Sequence, residues 1–401
     1  MDVSIYDRKE PKPAGAQKQG LLPTDILLQL EAELEARIVK QTLVPRPPDF
    51  DPLDPKWSTG DFVSFGLPPR PTNENALQVW NKLVLLSPKI VTPAFMFRED
   101  IVISQFRILS ADESDGEPGG GTGILQGGRF GSSRNWSGAA ILPRRGDRFI
   151  QVLGAWTVPA VGAGDGAGPW VCSTWIGLDG LRKWMTSMPQ MGTTQVSGNT
   201  GATFSNGMAM PNYFAWLQWW LLGRTRQLPV TYNVTINPGM KIYCCVTLLP
   251  PNQPNTGDRD YVQFYITVNG VGRPVIFKPP PSNDPTTSDD DGRGVPARGA
   301  SAEWILERPT ALNASPNGNI KENQIYPLPA FDTIGSDDFA AALALGPDPG
   351  VTATAALTSA VNFRTPRLLR MIEQRDNPSR IAVIAQPIAA KDGKVTVRSK
   401  P

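Results

Sequence analysis

Between Val230 and Lys278 the chain breaks into short β-prone runs separated by turn residues, and this texture limits the possible folds more than any other feature. VTYNVTI at Val230–Ile236 runs into Asn237-Pro238-Gly239. KIYCCVTL at 241–248 precedes a polar Pro/Asn/Gly loop, and YVQFYITV at 261–268 ends at Asn269-Gly270 before Arg273–Lys278. β-Branched and aromatic residues suit the pleat of a strand, and Asn-Gly supplies the positive φ of a tight hairpin, so an antiparallel meander is expected. Further strands fit Phe149–Val158, Val171–Leu178, Tyr213–Trp220 and Ala302–Leu306. The 401 residues include 38 glycines and 40 prolines, where an average protein has roughly 12% of the two together. Turn-rich β architecture follows, and the strand count predicts a β-sandwich that length permits as a single domain.

The flanks read differently. Residues 1–20 are polar, Lys-rich and broken by Pro and Gly, and are expected to form a disordered tail. An N-terminal extension at 21–110 carries two helix candidates. TDILLQLEAELEARIVKQT from Thr24 spaces Ile26, Leu27, Leu30, Leu34 and Ile38 as one helical face, and Asn73–Ser87 offers Leu77, Trp80, Leu83, Val84 and Leu85. The Pro-rich segment at 45–55 between them is a linker. Residues 111–128, Gly-rich and acidic, form the clearest boundary, after which 129–345 carries the β texture. Residues 346–401 are Ala/Pro-rich, with a basic helix candidate near Pro366–Gln374.

Chemistry is narrowed by counting. These residues include no histidine, so a Ser-His-Asp or Cys-His nucleophilic site and a His-ligated metal are excluded. Cys172, Cys244 and Cys245 suit neither a disulfide framework nor a zinc site and read as small buried apolar residues. Basic and acidic residues balance at 39 and 37, leaving no broad electrostatic footprint for nucleic acid or an anionic membrane. The first twenty residues lack a signal-peptide core, and no apolar run approaches membrane-spanning length. The expected location is therefore cytoplasmic or reached by a non-Sec route.

Two strands remain informative. In AEWILE, Glu303 and Glu307 share one face with Ile305, while Ala302, Trp304 and Leu306 face the other way. In YFAWLQWW, alternation sends Phe214, Trp216, Gln218 and Trp220 to one face and Tyr213, Ala215, Leu217 and Trp219 to the other. Either the first set lines a groove for an extended peptide or sugar rings, or the strand is buried on both sides.

The order of motifs carries a resemblance. NWSGA at 135–139, GAWTVPA at 154–160, STWIGLDG at 173–180, MPQMG at 188–192, YFAWLQWW at 213–220, INPGMKI at 236–242 and SAEWILE at 301–307 resemble successive segments of the glutamic peptidases, or eqolisins, over about 129–345. The resemblance implies a two-sheet antiparallel jelly-roll sandwich of concanavalin-like form, a polypeptide substrate, and no cofactor or metal. It also implies a catalytic pair, with Glu303 as the carboxyl and Gln190 as the amide. A glutamate can take a proton from an attacking water and return it to the leaving amine, while a glutamine can hold that water and donate to the oxyanion. Trp175 and Asp179 match family positions beside the pair, where the resemblance makes them substrate-binding residues that shape or hydrogen-bond the site, and Asn135 and Trp136 would anchor the opening strand. Where the family's W-x-E-W strand carries an acid this chain has Gln218, with Phe214 and Trp220 at neighbouring departures, so a less acidic, more apolar substrate cleft is implied. Residues 1–128 are then a possible pro-region docked over the groove. The competing readings are a non-catalytic peptide- or carbohydrate-binding sandwich and a jelly-roll assembly protein.

Overall fold

The structure, a computed structural model, describes residues 24–97, 101–102, 129–143, 147–181, 186–198, 212–221, 229–250, 261–281, 294–314, 320–344, 366–374, 381–391 and 393–399. The expected tail at 1–20 and the boundary at 111–128 lie outside them. Along the chain come α1 (Thr24–Arg37), α2 (Thr59–Ser64) and α3 (Glu74–Leu85), then the short strands β1 (Lys89–Ile90), β2 (Phe95–Phe97) and β3 (Ile101–Val102). β4 (Arg129–Ser133), β5 (Trp136–Ile141), β6 (Arg148–Thr157), β7 (Trp170–Leu178), β8 (Ser187–Ser197) and β9 (Tyr213–Leu221) follow. Next are β10 (Val230–Tyr232), β11 (Lys241–Leu249), β12 (Tyr261–Val268), β13 (Val271–Phe277), β14 (Ala302–Glu307), β15 (Thr310–Ala314) and β16 (Ile320–Ile325). β17 (Thr333–Ala344), β18 (Arg367–Gln374), β19 (Ile381–Lys391) and β20 (Lys394–Ser399) complete the set.

Two sheets pack face to face. The first runs β2, β10, β9, β8, β7, β14, β5, β18. The second runs β1, β13, β12, β11, β6, β17. β17 joins them, since Thr333–Gly335 pair with β20 before Ser336–Ala344 cross to lie beside β6. The core between the sheets takes Ile176, Leu217, Trp219, Trp304 and Leu306 from the first and Val152, Trp156, Val246, Phe264 and Phe339 from the second. Trp156 Nε1 donates to Thr193 Oγ1 across this gap at 3.0 Å, so one of its buried polar groups also links the layers. Asn269 and Gly270 take φ of 51° and 74° and join β12 to β13, as a two-residue hairpin with positive φ at both positions requires.

Three sequence expectations are corrected. Val230–Ile236 is not the first strand of the meander: only Val230–Tyr232 is extended, and it lies in the first sheet between β2 and β9. Asn233 N–H bonds Ala94 beyond the last ladder pair, so the local β propensity of 234–236 finds no ladder partner. The basic segment at 367–374 is a strand, not a helix, because it pairs with β4, β5 and β19 and buries Leu368, Leu369 and Met371. The C-terminal residues thus extend the sandwich past 345.

Among the described residues, the N-terminal helices α2 and α3 pack on the second sheet and not on the face bearing Glu303. Helix α3 buries Ala76, Val79, Trp80, Leu83 and Val84 against the outer side of the second sheet, where Leu153, Ala155, Tyr243, Cys245 and Tyr265 meet them. Helix α2 begins with a capping box between Ser58 and Asp61 and adds Phe62 to this cluster. Polar groups tie the layers: Asn73 Nδ2 donates to Ala341 O, Gln151 Nε2 to Pro69 O, and Gln263 Nε2 to Leu67 O. All three cysteines are buried and unbridged, as their sequence context suggests. Among the described residues no helix is long and apolar enough to cross a membrane.

Candidate active site

The outer face of the first sheet is built in rows, because side chains of Cα partners in adjacent antiparallel strands point to the same side. One row reads Ala140, Glu303, Gly177, Gln190, Gln218 across β5, β14, β7, β8 and β9. The next reads Gly138, Ile305, Trp175, Gly192, Trp216, and the third Trp136, Glu307, Ser173, Thr194, Phe214. An apolar row therefore separates two polar ones. Residues more than a hundred positions apart in the chain meet here because β14 inserts between β5 and β7.

Gln190 and Glu303 lie on the same face, two strands apart or roughly 10 Å between Cα atoms. Only Gly177 stands between them. A Cβ at Gly177 would come within 3.0 Å of Gln190 Cβ and 3.1 Å of both Pro189 O and Trp175 Cζ3, so any side chain there would crowd the base of Gln190. Both members of the pair are 0% exposed. Burial pushes the Glu303 carboxyl up to about 8; hydrogen bonding from Ser301 and from the Gly180 and Leu181 backbone offsets part of this, and the nearby Asp179 charge adds to it. Burial thus favours the protonated carboxyl. Leu181 N–H donates to Glu303 Oε1 at 3.1 Å, whereas Oε2 is buried without a hydrogen-bond partner. Gln190 Nε2 donates to Gln218 Oε1 at 3.0 Å, and Gln190 Oε1 is likewise buried without a partner.

A turn closes over the carboxyl. Asp179 has φ of 71°, and its carboxylate accepts from the N–H groups of Arg298, Gly299 and Ala300. Desolvation raises Asp179 to about 6 against the pull of these three donors. The clasp holds the turn to the segment that leads into β14. Gly180 then rests on the site: a Cβ there would lie 2.8 Å from Met188 Sδ, 3.1 Å from Trp136 and 3.4 Å from Glu303 Cδ. Trp175 Nε1 donates to Glu307 Oε2 at 2.8 Å, and its ring meets Trp136 edge-to-face at 4.9 Å. Among the described residues no three of Cys, Asp and Glu converge where they could hold a metal ion.

These contacts revise several sequence assignments. Phe214, Trp216, Gln218 and Trp220 do share one face, but Phe214, Trp216 and Gln218 are buried and only Trp220 is partly accessible, so they line no open groove. The strand is buried on both sides, because Ala215, Leu217 and Trp219 enter the inter-sheet core while Phe214 and Trp216 pack with Trp136, Trp175 and Met188. Trp175 donates to Glu307, and the Asp179 carboxylate accepts from the backbone N–H groups of Arg298, Gly299 and Ala300. Asn135 and Trp136 anchor the opening of β5, with Asn135 O accepting from Arg308 N–H. Sequence reasoning missed Leu181, Ser301, Gly177 and Gly180. Alternation alone places Gly177 on the face of Trp175, but nothing local marks the backbone of 180–181 as a cover.

Residues 134–256 match the family model described as the Peptidase A4 family. The matched region contains Trp175, Asp179, Gln190 and Gln218 and ends before Glu303. Among solved structures, the chain is similar to a scytalido-glutamic peptidase crystallised with a peptide-based transition-state analogue, at 17% identity and a TM-score of 0.42, over 67% of this chain and 98% of that one. It is similar in the same measure to SCP-B, a member of the eqolisin family of peptidases, in complex with the tripeptide Ala-Ile-His. No curated protein matches it.

Proposed function

We propose, from the premise that residues 134–256 are a Peptidase A4 region, that this chain is an endopeptidase in which Glu303 and Gln190 hydrolyse peptide bonds without a metal or a covalent intermediate. The observation that carries this reading is the row Glu303, Gly177, Gln190: a carboxyl and an amide on one face, across a glycine, each with a buried oxygen that lacks a partner. Buried polar atoms are ordinarily satisfied, so two orphans in one row suit a site that completes its hydrogen bonds with a reacting molecule.

The chemistry is direct. Ionised Glu303 takes a proton from water as the water oxygen bonds to the scissile carbonyl carbon. Gln190 N–H donates to the resulting oxyanion. Protonated Glu303 then passes its proton to the amide nitrogen as the C–N bond breaks, which releases a carboxyl product and an amine. A group that must both accept and donate works best with its pKa near the working pH. With Glu303 held near 8 in the closed protein, the base form is the scarcer one at acidic pH, so kcat/KM should climb as pH approaches 8. Substrate entry requires the turn 179–181 to move off the carboxyl, because Gly180 and Leu181 occupy that side. Of the aromatic face of β9 only Trp220 is partly accessible, so it is the ring there that could meet an apolar peptide side chain. The burial of Trp175, Phe214 and Trp216 counts against an open aromatic platform for polysaccharide.

The test is cleavage of casein and a peptide library by the wild type, Glu303→Gln and Gln190→Ala. Loss of at least about a hundredfold in each variant is expected, and unchanged cleavage in both would sink the assignment.

A further inference from the structure

We propose that Gln218 is a positioning residue that sets the rotation of the Gln190 amide, and is not a contact to substrate. The two side chains are Cα partners on β8 and β9, both are buried, and Gln190 Nε2 donates to Gln218 Oε1 at 3.0 Å. An amide can turn over about its last bond, exchanging a donor for an acceptor at nearly the same place, and only its hydrogen-bond partners decide which atom faces where. With one Nε2 hydrogen engaged by Gln218, Gln190 keeps its second N–H for an oxyanion and its carbonyl Oε1 for water. Both duties are then available from one side chain at once. The turned-over amide would place Oε1 against Gln218 and lose that division.

Gln218 holds this orientation less strictly than an acid would. An ionised carboxylate only accepts, so it would forbid the turned-over state; a glutamine can also donate and therefore tolerates it. In exchange, the neutral amide spares the row that already holds Glu303 a second carboxylate. The partner chemistry is thus a side-chain acceptor at 218, and the property it controls is the donor presented by Gln190.

The inference rests on the peptidase reading for its kinetic arm only. In that arm, Gln218→Met, nearly isosteric but without the acceptor, is expected to lower kcat about tenfold, the worth of one hydrogen bond, with KM within about twofold. Gln218→Glu is expected to recover most of kcat. In the second arm, protein labelled with 15N-glutamine reports the Gln190 side-chain NH2, identified by its disappearance in Gln190→Ala. Its hydrogen exchange should speed up at least about tenfold in Gln218→Met and stay slow in Gln218→Glu. A rise in KM alone, or an unchanged Gln190 NH2 signal and exchange rate in folded Gln218→Met, overturns the proposal. If the wild type cleaves nothing, the peptidase reading fails while the amide measurement still decides this one; if Gln218→Met does not fold, loss of slow exchange in Gln218→Glu refutes it.

Discussion

The outer faces of the two sheets bury aromatic rings to a similar degree but use their polar groups in opposite ways. On the second sheet, Asn73, Gln151 and Gln263 each direct an amide N–H to a backbone carbonyl, tying the N-terminal extension and the sheet to each other. On the first sheet the polar side chains bond sideways to neighbouring strands: Gln190 to Gln218 and Ser173 to Thr194 within their rows, and Trp175 to Glu307 of the next row. An orphaned amide oxygen is not what distinguishes the site, since Gln151 and Gln263 have one too. The distinction is a carboxyl in the same row with an unpartnered oxygen of its own. Lateral bonding keeps the groups of the site in register within the sheet itself, and that is the arrangement a reacting centre can use.

Deleting residues 1–97 should break the comparison hardest. It strips Trp80, Leu83 and Phe62 from the second sheet and removes β1 and β2 from the two sheet edges. The shortened chain is expected to lose cooperative unfolding and to bind a hydrophobic dye, whereas a removable pro-region would leave a folded, active remainder. Next in size is Glu303→Gln. Below about 4.5 the carboxyl is protonated both folded and unfolded, so the full stability is present; between there and about 8 the folded state alone keeps the proton. Wild-type stability should therefore fall as pH rises through this window, by on the order of 5 kcal/mol, and the variant should show a flatter profile of urea-denaturation stability against pH. Trp175→Phe keeps the ring packing against Trp136 but withdraws the N–H from buried Glu307; a loss of about 2 kcal/mol is expected in the same denaturation assay. The smallest effect belongs to the other face. Ser58→Ala removes half of the α2 capping box and should cost about 1 kcal/mol with peptide cleavage unchanged at temperatures where the protein stays folded.

Much of this was legible residue by residue. The alternation in Tyr213–Leu221 and Ala302–Glu307 assigned each side chain to the face it occupies, because a strand repeats every two residues wherever it sits. Helix α3 was legible because Trp80, Leu83 and Val84 fall on one helical face. Burial was not. A pattern of large rings on both sides of a strand is the same whether a second layer or solvent lies outside, so the open groove expected beside Gln218 and the closed face found there begin from one sequence. The strand at 367–374 was misread because eight residues with Leu, Met and Ile suit either period, and only ladders to β4, β5 and β19 decide between them.

Local residue chemistry by itself determined the β character, the hairpin at Asn269-Gly270, the buried thiols and the side of each strand on which Glu303 and Gln218 lie. Those properties depend on backbone preference and on a period of two, both written in neighbouring residues. Tertiary structure alone decided that β14 lies beside β7, that Gly177 stands between Glu303 and Gln190 in one row, that the 179–181 turn covers the carboxyl, and that helices α2 and α3 cover the other sheet. Each of these joins segments far apart in the chain, and strand order is set by which apolar faces can be buried together, a property no short stretch carries.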